Sequence, residues 1–274
     1  MFPSFLLSLR EGLEAALIIG IVIGALVKFR RPDLKPAVWW GAAGAILLSI
    51  LLALVINSIG ARFEGRAEQI FEGTAMLLAA GVITWMIFWM RNHAQTIKTD
   101  LEADVQQRAF RGGRKALFAL AFLAIAREGF ELVLFLVAAR AASNPLQTLL
   151  GAVLGLAVAV FLGWLLFSST RRLNLRQFFQ VTNVLLVLFA AGLVAHGVHE
   201  FNEAGLIPPV IEHVWDMNHI IDENSTFGEI LKALFGYNGN PSMTEVISYL
   251  GYFLAIWLGM KVLIPSRYPL PGTD

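Results

Sequence analysis

Two stretches decide how this chain is read: LREGLEAALIIG, residues 9–20, and IAREGFELVLFL, residues 125–136. Each is apolar enough to lie in a bilayer, yet each carries an arginine and two glutamates in the order Arg-Glu-Gly-x-Glu. The first copy holds Arg10, Glu11 and Glu14, the second Arg127, Glu128 and Glu131. Residues three and four apart share a helix face, so Glu11 lies beside Glu14 and Arg10 beside Glu14, and the second copy repeats that arrangement. A charge at the centre of a membrane helix costs about 2.5–3.5 kcal/mol, so six unpaired charges would cost on the order of 15–20 kcal/mol. A marginally stable fold does not carry that. The charged groups must meet each other, water or an ion.

The rest of the chain supplies the membrane setting. Of 274 residues 57% are hydrophobic and 15% charged, against about 25% charged in soluble domains. The first apolar run has no basic leader, contains acids and continues to Val27, so it reads as a span and not as a cleaved signal peptide. The net charge of +1 does not point to a nucleic-acid partner. The absence of cysteine excludes disulfides, thiolate metal sites, iron–sulfur ligation and cysteine catalysis.

A span needs about 20 mostly apolar residues, and seven segments qualify: Phe2–Val27, Ala37–Ile59, Gln69–Met90, Ala116–Ala139, Leu146–Ser168, Phe178–Val198 and Met243–Ile264. Alternate connections are basic: Lys28, Arg30, Arg31 and Lys35; then Arg91, Lys98, Arg108, Arg111, Arg114 and Lys115; then Arg171, Arg172 and Arg176. Basic loops face the cytoplasm, which predicts an N-out, C-in protein in contact with lipid on its outer surface.

The second motif begins 117 residues after the first, on the fourth span. An odd number of spans per unit makes the second unit inverted, an arrangement in which functional residues meet near the midplane. The predicted fold is an all-α integral membrane protein of seven transmembrane helices, two inverted three-helix repeats plus a seventh helix. Its predicted units are residues 1–92, a cytoplasmic linker at 93–115, the second repeat at 116–199, an acidic outward-facing loop at 200–242, and the seventh helix with its tail at 243–274. In the linker Ile97, Leu101, Val105 and Ala109 recur every four residues among charges, as in a helix lying on a membrane surface.

Four carboxylates and two guanidiniums leave a formal charge of −2, which pairing alone does not neutralise; protonation of two acids or a bound cation would. Carboxylates without sulfur suit hard cations such as iron(III), manganese, magnesium or calcium. The residues do not choose among these.

REGLE at 10–14 and REGFE at 127–131 resemble the paired motifs of the oxidase-dependent iron permease family, and in particular its bacterial inner-membrane branch. FEG at 71–73, ITWMIFWMR at 83–91, RLNL at 172–175, EAGL at 203–206 and LFGY at 234–237 extend the likeness over nearly the whole chain. The resemblance implies that Glu11, Glu14, Glu128 and Glu131 bind iron in transit, iron(III) being favoured, and that Arg10 and Arg127 orient them. It also implies a periplasmic haem peroxidase and a periplasmic iron-binding protein as partners. Iron is then substrate and no cofactor is expected.

Secondary candidates lie toward the outer face. Glu72 stands one turn after Glu68. Between Gln177 and Leu231 there is no Lys or Arg, while seven acids, Asp216 among them, and four histidines are present. Such a surface concentrates cations, and His196, His199 and Glu203 share a helical face as a collecting site. Met76, Met86 and Met90 read as packing residues, and Trp85 and Trp89, with Trp39, Trp40 and Trp257, as an interfacial belt. Two other functions are compatible with the residues. A metal-dependent hydrolase at His199, Glu200 and Glu203 lacks the second histidine of the zinc pattern HExxH. A proton-coupled carrier of another multivalent cation would use the acids as relays.

Overall fold

A computed structural model of the chain describes residues 1–93, 97–141, 144–168, 175–223 and 225–263. Ser169–Asn174, and with them Arg171, Arg172 and most of RLNL, lie outside the described residues, as does Arg267 in the tail. The described residues form nine α-helices and no strand: α1 Phe2–Lys28, α2 Lys35–Gly60, α3 Arg66–His93, α4 Ile97–Arg111, α5 Gly113–Ala141, α6 Pro145–Ser168, α7 Leu175–Glu203, α8 Thr226–Phe235 and α9 Met243–Leu263. Proline stands in the first turn of α1, α2 and α6, where its missing N–H costs nothing.

Five of these helices, α2, α3, α6, α7 and α9, are long and apolar enough to cross a membrane by length and composition. The other two long helices, α1 and α5, run 27 and 29 residues and are the ones that carry the charged motifs. The outer flanks of α2, α6 and α9 expose Leu47, Leu51, Leu54, Val160, Phe161, Leu250 and Leu254. Apolar surface on that scale is covered by lipid or protein in a working molecule. The chain is an integral membrane protein.

The helices that pack most extensively are not neighbours in sequence: α1 with α6, α2 with α5, and α3 with α7. Small residues explain the first. Ser4, Ser8, Gly12, Ala16 and Gly20 come every four residues on α1 and meet Gly151, Gly155, Ala159, Gly163 and Phe167 of α6 in the same order. The two helices therefore run parallel, with backbones brought close as small-xxx-small stripes allow. Gly41 of α2 meets Phe118 and Ala121 of α5, and Gly129 of α5 meets Ser49, so this pair is also parallel. In α3 and α7, Gly73 meets Phe201 and Gly197 meets Leu77, an antiparallel crossing.

Two sequence expectations change. The apolar stripe of α4 serves the protein: Val105 and Ala109 are buried against Val22, Leu26 and Leu117, while Lys28 pairs with Glu102 at 2.7 Å and Arg31 donates to the Ala109 carbonyl at 2.9 Å. The four-residue period predicts the helix, but periodicity does not say what covers an apolar face. The segment at 200–242 is more than an acidic loop, because α8 lies within it and packs on α7 and α1. Ser225 caps its start, and Gly236 ends it at φ 67°, a left-handed backbone that glycine adopts without strain. Gly236 sits on Gly192 of α7. Gly192 is eleven residues before the end of α7, so the chain dips roughly 16 Å back along that helix.

Candidate functional site

The motif glycines are rungs of the helix contacts. A side chain on Gly12 would strike Ala159, and one on Gly129 would strike Ser49. With Gly12 turned to α6 and Gly129 to α2, the charged residues of both motifs turn inward, and α1 packs directly on α5.

There the two copies meet. Carboxylate oxygens of Glu11, Glu128 and Glu131 lie within 4.8 Å of one another. All three side chains are buried, as is Arg10, which has no exposed surface. Arg10 Nη1 donates to Glu11 Oε1 at 2.6 Å, and Nη2 lies 2.8 Å from Glu14 Oε1. Arg127 Nε donates to Glu131 Oε1 at 2.9 Å. Glu14 is held by Arg10 and is not a member of the close trio. One oxygen of each trio member, Oε2 of Glu11, Glu128 and Glu131, is buried without a hydrogen-bond donor. Buried carboxylate oxygens without donors are costly, and three carboxylates that meet within 4.8 Å from two helices, each with such an oxygen, are a group that could hold a cation.

Helix α3 supplies what the sequence reading missed. Its segment Trp85-Met86-Ile87-Phe88-Trp89-Met90 carries two pairs at i, i+4 on adjacent faces. Met86 Sδ accepts from Arg10 Nη1 at 2.7 Å and Met90 Sδ from Arg10 Nη2 at 2.8 Å. The Arg127 guanidinium lies over the Trp85 and Trp89 rings, 5.3 and 4.6 Å from their centroids. Each motif arginine is thus gripped by one pair. Met86 and Met90 are more than packing, and Trp85 and Trp89 more than a belt, although Met76 is the core residue expected. The repeated Trp-Met dipeptide four residues apart was the signal available in the sequence.

The remaining candidates stand apart from the trio. Glu72 lies at the α3–α7 crossing within the electrostatic reach of Glu68, Glu200 and Arg140. His196 is buried, its Nδ1 facing the Gly192 carbonyl at 3.2 Å. His199 lies between two carboxylates, Nε2 3.2 Å from Glu203 and Nδ1 3.1 Å from Glu245, and Gln69 donates to the other oxygen of Glu203 at 2.9 Å. Asp216 is exposed and accepts from the Asn218 backbone in a local turn. Among the described residues only the trio brings three carboxylate or imidazole donors within 4.8 Å. Glu245 was overlooked. It forms a capping box with Ser242: Glu245 Oε1 accepts from the Ser242 backbone at 3.0 Å and Ser242 Oγ from the Glu245 backbone at 3.3 Å. The spacing Ser-x-x-Glu before an apolar run was legible as that box.

Comparison with known proteins adds an independent line. Residues 1–269 match the model of the family described as Iron permease FTR1. The chain is 39% identical over 256 residues to "Ferrous iron permease EfeU" of Escherichia coli strain UTI89 and to its namesake in Shigella sonnei, covering 93% of each chain. It is 34% identical to "Ferrous iron permease EfeU" of Yersinia pestis, covering 93% of this chain and 91% of the relative. No solved structure matches.

Proposed function

The chain belongs to the iron permease FTR1 family, and on that premise we propose that it carries iron across a bacterial cytoplasmic membrane through the site built by its two REGxE motifs. It is a transport protein and not an enzyme. The observation that carries the site assignment is the convergence of Glu11, Glu128 and Glu131, drawn from both motifs, with an unpaired oxygen on each. Glu14 supports the site through Arg10, while Arg10 and Arg127 limit its negative charge when it is empty. Iron is substrate, and the protein has no cofactor of its own in this reading.

The finer architecture belongs to the same proposal. Seven helices cross the membrane, α1–α3 and α5–α7 forming two inverted repeats and α9 an addition. The parallel pairing of α1 with α6 and of α2 with α5 supports this, since each repeat's first helix then packs on the other's second. The end bearing Lys28, Lys35 and α4 faces the cytoplasm. The opposite end, with Glu72, Glu200, Glu203 and Asp216, faces outward, draws cations in, and meets a periplasmic iron-binding protein and a haem peroxidase.

Iron(III) is supported by the all-carboxylate trio, a hard donor set. Iron(II) is the second reading, favoured by the thioethers of Met86 and Met90 at Arg10 and consistent with the relatives' names. Flux into proteoliposomes, measured separately for iron(II), iron(III), manganese and zinc, tests both. Glu11→Gln and Glu128→Gln are expected to abolish iron flux equally while the proteins insert and fold. Normal flux in either removes the motifs from the transport path.

A further inference from the structure

Arg10 occupies an unusual position. Its Nη1 sits between a carboxylate oxygen, Glu11 Oε1 at 2.6 Å, and a thioether sulfur, Met86 Sδ at 2.7 Å. Its Nη2 repeats the pattern between Glu14 Oε1 at 2.8 Å and Met90 Sδ at 2.8 Å. Met86 and Met90 are both buried, so neither sulfur has water as an alternative partner. A thioether is a weak hydrogen-bond acceptor, and two of them are a poor choice if the sole task is to satisfy a buried guanidinium; a backbone carbonyl, amide or further carboxylate would serve better. A thioether is, however, a good ligand for a metal ion of soft or borderline character.

We propose that Met86 and Met90 form the soft half of a mixed thioether–carboxylate cation site, in which the Arg10 guanidinium is a tethered stand-in for iron(II). Two carboxylate oxygens and two thioether sulfurs thus flank the two nitrogens of one cationic group, a mixed donor set of the kind a borderline divalent ion takes. When the ion arrives Arg10 withdraws, Glu11 and Glu14 exchange one cation for another, and the cluster is never left without a positive charge. The sulfurs set the choice of ion. A pure carboxylate site accepts manganese, magnesium or calcium readily, whereas thioether donors favour iron(II) over manganese(II). This inference rests on the reading that the REGxE acids carry iron, and it takes the iron(II) side of that reading.

The test uses the full chain in proteoliposomes, with iron(II) kept reduced and manganese(II) as competitor. Met86→Leu, Met90→Leu and the double variant keep apolar volume and remove sulfur. The readout is the ratio of manganese to iron that halves iron uptake. The double variant is expected to lower that ratio about tenfold and each single variant part of the way. Because the readout is a ratio of two ions on one protein, lower insertion does not mimic the effect, and the single variants carry the test should the double variant unfold. A ratio unchanged in all three variants, while Glu11→Gln still abolishes flux, overturns the role of the sulfurs and leaves the carboxylate reading standing. Undiminished flux in Glu11→Gln overturns both.

Discussion

Replacing Arg10 with methionine is expected to be among the most destabilising single changes in the protein, and replacing its two carboxylate partners at the same time should repair most of the damage. Arg10 is fully buried and contacts both Glu11 and Glu14, so its loss leaves two carboxylates without their cation. Breaking a buried pair from one side typically costs about 3–5 kcal/mol, whereas replacing every member of a buried charged group with neutral residues of similar volume is often close to neutral. The structure makes the triple variant Arg10→Met, Glu11→Gln, Glu14→Gln the appropriate partner, because exchanging Arg10 and Glu14 alone would strand Glu11 at 2.6 Å from the lost nitrogen. The expected order of stability is parent, then triple variant within about 1–2 kcal/mol, then Arg10→Met about 3–5 kcal/mol below the parent. Unfolding of purified protein in mixed micelles by increasing detergent denaturant, followed by loss of helical signal, measures this. Iron flux should be absent in the triple variant despite its recovered stability. A single variant no less stable than the triple refutes the charge argument, and a triple variant that transports iron refutes the assignment of function to these acids.

Three further outcomes are expected. Gly12→Ala and Gly129→Ala should each cost about 1–3 kcal/mol through overpacking, since the new methyl meets Ala159 or Ser49, while Gly24→Ala, with nothing within 4 Å, should be neutral or gain up to about 1 kcal/mol; the same unfolding assay distinguishes them. Trp89→Leu should loosen Arg127, costing about 0.5–2 kcal/mol and raising the iron concentration for half-maximal flux more than it lowers the maximum; an unchanged concentration dependence would show that the ring only packs. Cysteine introduced at Glu64 should react with an impermeant maleimide added to intact cells, and cysteine at Asp104 only after permeabilisation, with the reverse pattern inverting the proposed orientation.

The seven long helices were legible in the sequence, their predicted bounds falling within a few residues of the observed ones. A run of about 20 apolar residues has no other stable home, so composition decides such elements locally. The helix α8 was legible as well, since Phe227, Ile230, Leu231 and Leu234 stand at i, i+3, i+4 and i+7 with a single acid among them. The capping box at Ser242 and Glu245 and the left-handed Gly236 are local signals, present in the sequence and passed over.

The sequence by itself determined that six charges stand in apolar helices and that they must be paired or bind an ion, since the cost of burying a charge does not depend on which fold surrounds it. It also determined that each motif presents its acids on one helix face, which follows from helical geometry alone. Only the tertiary structure decided which acids share a site. Glu11 joins Glu128 and Glu131 across the α1–α5 contact while Glu14 stays with Arg10, because the small residues of α1 and α2 choose α6 and α5 as partners and so set the rotation of each motif about its helix axis. The structure also put Met86 and Met90 against one arginine and Trp85 and Trp89 against the other. Residues 76 to 80 positions from Arg10 come within hydrogen-bond reach of it only when α3 packs into the bundle, and helical periodicity carries no information about a partner at that distance.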